Sequence, residues 1–201
     1  MMIIGLCGSS GSGKGYVCNK FADFGIGFID TDEVYRETVL VNQKCVEELT
    51  NTFGVDILED GRVSKKRLAS IVFEGEDAKN KLNYLNEITH KYIKIETELL
   101  IRDFEKNGYF AVLIDAPVLF ESSFDKMCDV TICVTAPYEE KIARIMKRDG
   151  ISKEKAVARL NSQLSDKELR KKCTYAIDNS DGCDLNGQII SILKDLGVEG
   201  V

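Results

Sequence analysis

A glycine-rich segment near the start of the chain constrains the fold more than any other feature. Residues 8–14 read Gly-Ser-Ser-Gly-Ser-Gly-Lys and directly follow the apolar run 2–7. Glycine lets the backbone turn tightly, so that successive N–H groups point at phosphate oxygens, and the final lysine neutralises further phosphate charge. Val17, Phe21 and Phe24 then recur on one helical face. The order strand, glycine-rich loop, helix predicts a phosphate-binding loop.

The residue after the lysine departs from the usual form of this motif. Gly15 occupies a position that normally holds serine or threonine, whose hydroxyl ligates Mg²⁺. A glycine-rich surface turn would give similar letters, but the apolar run before the segment and the helical pattern after it favour a nucleotide site. The sequence therefore predicts a nucleotide site with one protein ligand fewer for the metal.

Short apolar runs alternate with helical stretches along the chain, which is the pattern of a parallel β-sheet with helices on its faces. Residues 110–114 read Phe-Ala-Val-Leu-Ile, a continuous apolar run typical of a central strand covered on both sides. The predicted fold class is α/β, a parallel sheet flanked by helices. Strands are predicted over residues 2–7, 27–30, 109–115, 129–135 and 174–178.

Three parts of the chain are predicted to differ in role. The sheet and its helices form a core from residues 1–41, 108–136 and 173–201. Residues 42–107 show helix after helix without a strand signal, so they are predicted to form a helical insertion. Residues 137–172 form a second helical segment.

One long amphipathic helix is predicted inside the insertion. Asn107 and Gly108 end it, because a glycine after the last helical turn is a common stop signal. Its apolar face is predicted from Ile88, Tyr92, Ile95, Leu99 and Leu100.

The charge of the chain is unevenly distributed. Its net charge is −6, which argues against nucleic acid as the main partner. Residues 141–172 contain eleven Lys or Arg and four Asp or Glu, a local +7 that leaves −13 for the rest of the chain. Such a segment is either a solvated helix face or a place where small anions bind. The neighbouring phosphate loop favours anion binding.

Composition also bears on location. No uncharged apolar run approaches the length of a membrane helix, so no membrane association is expected. The seven cysteines are scattered without a Cys-x-x-Cys pair, and the chain has one histidine, which makes a zinc site improbable. Reduced thiols in the cytoplasm are the simplest account. The sequence leaves the oligomeric state open.

Two carboxylates follow the second predicted strand. Asp30 and Asp32 lie at a carboxyl strand end, where open α/β sheets bind ligands. A carboxylate there either takes a proton from an acceptor hydroxyl or holds Mg²⁺ through water. The competing interpretation is helix capping by Asp30, with Glu33 reaching back. Asp115 ends the central strand, as a turn former or as a second acid that orients Mg²⁺ through water.

Three basic side chains recur at helical spacing in the basic segment. Arg144, Lys147 and Arg148 lie one turn apart and can converge on one side. The planar fork of arginine suits phosphate oxygens. His90 falls inside an insertion helix, where a lone histidine is usually packed or solvated.

Taken together, these motifs resemble the dephospho-CoA kinase family over nearly the whole chain, from Ile4 to about Asn179. Five family motifs occur in the right order: GLTGGxGSGKS at residues 5–15, DxDxxxR at Asp30, Asp32 and Arg36, DxPLLFE at 115–121, RxxxRD at 144–149 followed by Gln163, and IDN at 177–179.

The resemblance implies transfer of the γ-phosphate of ATP to the ribose 3′-hydroxyl of dephospho-CoA, with Mg²⁺ accompanying ATP. It implies that Asp32 is the base, that Lys14 and Arg144 stabilise the transferring charge, that 42–107 helps to hold the CoA substrate and that 137–172 is a lid. Residues implied to bind ATP are Gly8, Ser10, Gly11, Ser12, Gly13, Lys14, Gly15, Tyr16, Arg148 and Asn179. Residues implied to bind the acceptor are Asp32, Arg36, His90, Pro117, Glu121 and Gln163.

The sequence departs from the family pattern at two places. Gly15 and Tyr16 replace Ser-Thr, and Lys91 stands where the family has proline after the histidine, a change that does not touch the chemistry. Because Gly15 lacks the hydroxyl expected on Mg²⁺, one alternative is a nucleotide- or CoA-binding protein with weak or lost catalysis. Another is a nucleotide or nucleoside kinase with the same loop and lid, which the long insertion disfavours.

Overall fold

The apolar run before the glycine-rich loop forms the central strand of a five-stranded sheet. The computed structural model describes residues 1–75 and 77–198. Its strands are β1 (Met2–Cys7), β2 (Gly27–Asp30), β3 (Leu58–Glu59), β4 (Arg62–Val63), β5 (Ala111–Asp115), β6 (Val130–Thr135) and β7 (Tyr175–Asp178). The large sheet has the order β2-β5-β1-β6-β7, and β1 pairs in parallel with both β5 and β6.

Helices connect these strands. They are α1 (Lys14–Ala22), α2 (Thr31–Val34), α3 (Gln43–Phe53), α4 (Lys65–Phe73), α5 (Ala78–Lys106), α6 (Tyr138–Asp149), α7 (Lys153–Asn161), α8 (Asp166–Lys172) and α9 (Leu185–Asp195). A π-helical segment, Tyr35–Val39, follows α2. No helix within 1–75 and 77–198 combines the length and the apolar character needed to cross a membrane.

The chain divides into two compact units. The first contains residues 1–29 and the chain from residue 104 onward, and the second contains residues 30–103. The core of the first unit contains side chains of the sheet, such as Leu6 and Ile132, together with Phe21 of α1 and Ile189 of α9. All four are fully buried. The parallel α/β class predicted from the sequence is confirmed.

Ion pairing and a small hairpin organise the second unit. Glu48 of α3 accepts hydrogen bonds from Lys91 Nζ at 2.7 Å and from Tyr92 Oη at 2.9 Å, both on α5. These contacts fix the side chain of Lys91, which stands where the family has proline. They also hold the pKa of Glu48 below its usual value, chiefly through the hydrogen bond from Lys91.

The strand predictions are largely confirmed and the prediction for the insertion is partly wrong. Each predicted strand is present, although β5 begins two residues after the predicted start and β6 and β7 one residue after it. Residues 42–107 were predicted to lack strands, but β3 and β4 pair as an antiparallel hairpin there. Asp60 and Gly61 both adopt positive φ in its turn. Strands of two residues are too short to produce an alternating pattern, which explains the miss.

The predicted apolar face of α5 is also only partly correct. Ile88 and Tyr92 are buried, and the helix ends at Lys106, just before Gly108, as predicted. The other buried residues of α5 are Thr89, Ile93 and Thr97. The remaining predicted core residues are exposed: Ile95, Leu99 and Leu100.

Candidate active site

The glycine-rich loop joins β1 to α1 in a backbone shape that needs its glycines. Gly11 and Gly13 have φ angles of +77° and +82°, a region that side-chain-bearing residues rarely adopt. A Cβ on Gly8 would lie 2.7 Å from Ser12 Oγ and 2.8 Å from the carbonyl oxygen of Val134. Gly13 is the N-cap of α1 and brings no side chain over its first turn. The positive end of α1 is therefore open to an anion.

A cavity of about 490 Å³ lies over this loop. Its lining brings together Arg144, Arg148 and Gln163, which are far from the loop in sequence. Lys147, predicted from its spacing to converge with the two arginines, is exposed and is not among the described residues that line the cavity. The remaining lining consists of residues 8–15 and Pro117.

Lys14 and Asp115 form an ion pair beneath the cavity. Asp115 ends β5 and lies beside Leu6 of β1 in the sheet register, which places its carboxylate below the loop. The Cys18 thiol donates to Asp115 Oδ2 at 3.5 Å. A lysine held in this way is available to an incoming phosphate only by exchanging or sharing its carboxylate partner.

Arg144 is oriented by three acceptors. Its guanidinium donates to the Asn179 carbonyl oxygen at 3.0 Å, to Glu140 Oε2 at 2.9 Å and to Asp181 Oδ1 at 2.7 Å. Asn179 in turn donates from Nδ2 to the carbonyl oxygen of Ser12 at 2.8 Å. The predicted charge-stabilising arginine and the predicted asparagine are thus joined to the loop by one chain of hydrogen bonds.

Arg148 binds the adjacent Asp149. Its Nε and Nη2 donate to the two carboxylate oxygens at 2.7 and 2.9 Å, and Arg159 of α7 also pairs with this acid. The hydrogen bonds from Arg148 and then Arg159 lower the pKa of Asp149 to about 2. Asp149 therefore stays ionised and fixes the end of α6 to α7.

A second cavity, of about 510 Å³, adjoins the start of the loop. Gly8 and Gln163 line both cavities, and the Ser10 amide donates to Gln163 Oε1 at 2.8 Å. The second cavity brings Glu121 and Gln163 together with Pro117, all three predicted on the acceptor side.

Tyr16, predicted to bind ATP, is exposed on α1 and is not among the described residues that line the cavity over the loop. The remaining predicted residues belong to the second unit. Asp30 caps α2, because its Oδ1 accepts from the amides of Asp32 at 2.8 Å and Glu33 at 3.2 Å, so the capping interpretation is confirmed for Asp30. Asp32 lies in the first turn of α2, where its side chain is exposed. Arg36 is exposed on the π-helical segment. His90 is half-buried on α5, and this burial, followed by the charge of Lys94, lowers the pKa of its imidazole.

Comparison with known proteins bears directly on this arrangement. The family model described as dephospho-CoA kinase matches residues 2–184. A dephospho-CoA kinase of Fusobacterium nucleatum is 38% identical over 182 residues, covering 90% of each chain. One from Dehalococcoides mccartyi is 34% identical over 181 residues, covering 90% of this chain and 89% of the relative. The chain belongs to the dephospho-CoA kinase family.

Solved structures agree with this membership. A Thermus thermophilus crystal structure superposes with a TM-score of 0.77 at 28% identity and covers 97% of both chains. The dephospho-CoA kinase of Campylobacter jejuni gives a TM-score of 0.68 at 25% identity and covers 96% of both. Acinetobacter baumannii shikimate kinase, at a TM-score of 0.51 and 17% identity over 99% of this chain and 95% of that one, shares the fold alone.

The family motifs do not include one polar cluster beside the loop. Lys141 and Asp166 form an ion pair that also contacts Ser9. A sequence signal for it existed, because Lys141 lies in phase with the buried Ile142 and Ile145 of α6. A charged residue on an apolar helix face indicates a buried partner.

Proposed function

We propose that this member of the dephospho-CoA kinase family transfers the γ-phosphate of ATP to the ribose 3′-hydroxyl of dephospho-CoA, giving coenzyme A and ADP. The observation that supports the proposal best is the cavity over the phosphate loop, in which Lys14 and Arg144 converge although they are far apart in sequence. Phosphoryl transfer is accelerated mainly by positioning and by stabilising charge, which is what such a cationic cavity supplies.

The proposed reaction uses one general base and two cationic side chains. The 3′-oxygen of the acceptor bonds to the γ-phosphorus while the bond from that phosphorus to the bridging oxygen of ADP breaks. Asp32, whose side chain is exposed, takes the hydroxyl proton. Lys14 and Arg144 bind the oxygens on which negative charge accumulates.

We propose that Mg²⁺ enters with ATP as the Mg-ATP substrate. Gly15 offers no side-chain ligand, and no group of three or more His, Cys, Asp or Glu suited to a metal occurs among residues 1–75 and 77–198. ATP phosphates and water therefore supply most of its ligands, as is usual for Mg²⁺ in kinases. Asp115 and Asp30 are proposed to contact it only through water.

Five further residues are proposed to contact the acceptor. Pro117, Glu121 and Gln163 of the first unit line a cavity of about 510 Å³ next to the loop. Arg36 and His90 of the second unit are proposed to contact the CoA precursor, through charge and through an imidazole that stays neutral at physiological pH.

We also propose a cytoplasmic location, since all seven cysteines are thiols rather than disulfides.

The decisive experiment measures ADP release from Mg-ATP with and without dephospho-CoA and checks the product for the mass of one added phosphate. Acceptor-dependent turnover to coenzyme A supports the proposal. Binding of both ATP and dephospho-CoA without turnover would instead indicate a catalytically silent protein, the alternative suggested by Gly15. Turnover only with other nucleotides or nucleosides in an acceptor panel would overturn the substrate assignment.

A further inference from the structure

We propose that Ser9, Lys141 and Asp166 form a buried clamp that holds the phosphate loop in its nucleotide-binding shape. Lys141 and Asp166 would then be positioning residues, acting on ATP through Ser9 rather than by touching it. The inference deepens the proposed function and depends on it only for the identity of the nucleotide as ATP.

The three side chains are mutually hydrogen-bonded. Lys141 Nζ donates to Asp166 Oδ1 at 2.6 Å and to Ser9 Oγ at 3.1 Å. The Ser9 hydroxyl donates to Asp166 Oδ1 at 3.2 Å. The side chain of Lys141 is only 6% exposed and that of Asp166 is 23% exposed. A serine of the loop therefore sits inside a largely buried ion pair.

Burying this pair is not explained by stability. A buried ammonium loses its hydration, and a well-packed apolar pair of similar volume is often as stable or more stable. Lys141 shares its helix face with Ile142 and Ile145, so an apolar residue would suit the same position. What the charged pair adds is a fixed geometry at Ser9, which neutral packing would not supply.

The backbone of the loop also packs against α6 at Lys141. A Cβ built on Gly11 would lie 2.5 Å from the carbonyl oxygen of Lys141 and 2.9 Å from its Cα, so the loop packs directly on this turn of α6. Asp166 is anchored independently, because its Oδ2 accepts from the Ala136 amide at 3.4 Å just after β6. The clamp thus ties the loop to α6, α8 and the sheet.

Neither charged residue of the clamp lines the cavity that we assign to the ATP phosphates. Ser9 lines that cavity, whereas Lys141 and Asp166 do not. The family motif quoted above has glycine at the position of Ser9, so the hydroxyl that completes the clamp is a feature of this chain. Both charged residues line a separate cavity of about 480 Å³ together with Ser9, and we assign their effect on ATP to the loop.

Two variants test the clamp without leaving an unpaired buried charge. Ser9→Ala removes the hydroxyl and keeps the ion pair, whereas the double variant Lys141→Met/Asp166→Leu replaces the pair by apolar groups. We expect the dissociation constant of ATP, measured by calorimetry on the full chain, to rise about 3- to 10-fold in each, as loss of one or two net hydrogen bonds predicts. The matched control is Glu139→Gln/Lys153→Gln, which removes an exposed ion pair of 3.2 Å in the same segment.

The readouts separate positioning from a general structural role. In turnover assays the KM for ATP should rise while the KM for dephospho-CoA and kcat stay within about twofold, and thermal midpoints should stay near that of the parent chain. Unchanged ATP affinity in the folded Ser9→Ala variant would overturn the proposal, even if the double variant fails to fold. An equal loss in the control would also overturn it. ATP affinity remains measurable if the parent chain does not phosphorylate dephospho-CoA, so the two proposals fail separately.

Discussion

Asp30 and Asp32 have the same functional group and different surroundings. Asp30 uses Oδ1 to accept two amide hydrogen bonds at the start of α2, including one from Asp32 itself. The Asp32 carboxylate is exposed in the turn that this cap fixes. One acid therefore holds the backbone that bears the other, and substitutions at the two positions should separate structure from chemistry.

The first prediction concerns the proposed base. Asp32→Asn should lower kcat by about 10²- to 10⁴-fold, because the amide cannot accept the proton of the 3′-hydroxyl. ATP affinity should stay nearly unchanged, as calorimetry would show. Glu33→Gln, which alters the adjacent exposed carboxylate, is the matched control and should retain turnover. Near-normal turnover of Asp32→Asn would remove this residue from the mechanism.

A second prediction concerns the missing hydroxyl at the end of the loop. A Cβ on Gly15 meets nothing within 4 Å, so serine fits there without displacing a neighbour. Gly15→Ser should lower the Mg²⁺ concentration that gives half-maximal rate several-fold, because it restores an oxygen ligand.

Gly15→Ala is the control for this prediction. It gives a similar gain in helix propensity, of roughly 0.5 to 1 kcal/mol relative to glycine, without adding a ligand. An identical Mg²⁺ dependence in the serine and alanine variants would mean that the metal is held entirely by other groups.

His90 is the only histidine in the chain, so its titration can be followed directly. Burial, and then the charge of Lys94, holds its pKa below the ordinary value of 6.5. The unfolded chain therefore takes up this proton at a higher pH than the folded chain does. The stability that the neutral imidazole contributes is complete above about pH 6.5 and declines as the pH falls below that value.

The third prediction follows from this sign. The imidazole C–H resonance should titrate below pH 6.5, the ordinary value for histidine. Denaturant unfolding of His90→Gln should depend less on pH than that of the parent chain between about pH 7 and pH 5. Lys94→Gln should raise the pKa of His90. A pKa above the ordinary value would contradict the burial argument.

At the scale of elements, the sequence predicted what repeats over several residues. Short, mainly apolar runs located β1, β5 and β6 to within two residues, because a strand buried on both faces leaves a strong signal. The hairpin of β3 and β4 left none, since each strand has two residues. On α5, the helical period placed Ile95 in the apolar face, but its side chain is exposed. Which positions of a helix are buried depends on the residues that pack against it, and the period does not show these.

One element-scale contact should contribute measurably to stability. Gln188 of α9 accepts from the Asp178 amide at 2.8 Å and donates to the Asp178 carbonyl oxygen at 2.9 Å, so it satisfies both backbone groups of a residue on edge strand β7. Gln188→Ala should lower the free energy of unfolding by about 0.5 to 1.5 kcal/mol in urea titrations. Ser191→Ala, an exposed substitution on the same helix, should leave it nearly unchanged. Equal effects of the two variants would show that the hydrogen bonds between Gln188 and Asp178 do not contribute to the free energy of unfolding.

At the scale of the whole molecule, short motifs predicted a set of site residues but not the contacts among them. Lys14 and Asp115 each belong to a motif, yet their ion pair joins positions 101 residues apart. The contact of Ser9 with Asp166 spans 157 residues, and no local pattern encodes a pairing over that distance. The motifs predicted which residues form the site, whereas the fold determines which of those residues are in contact.

The last prediction uses the division into two units. The proposed ATP residues are in the first unit, whereas Arg36 and His90, proposed to contact the CoA precursor, are in the second. Hydrogen exchange should therefore respond differently to the two ligands. Saturating Mg-ATP should slow exchange chiefly over residues 8–16, whereas dephospho-CoA should also slow exchange within 30–103, because a bound ligand suppresses the openings that expose nearby amides. Each ligand serves as the control for the other. Protection by dephospho-CoA confined to the first unit would contradict the assignment of the second unit to acceptor binding.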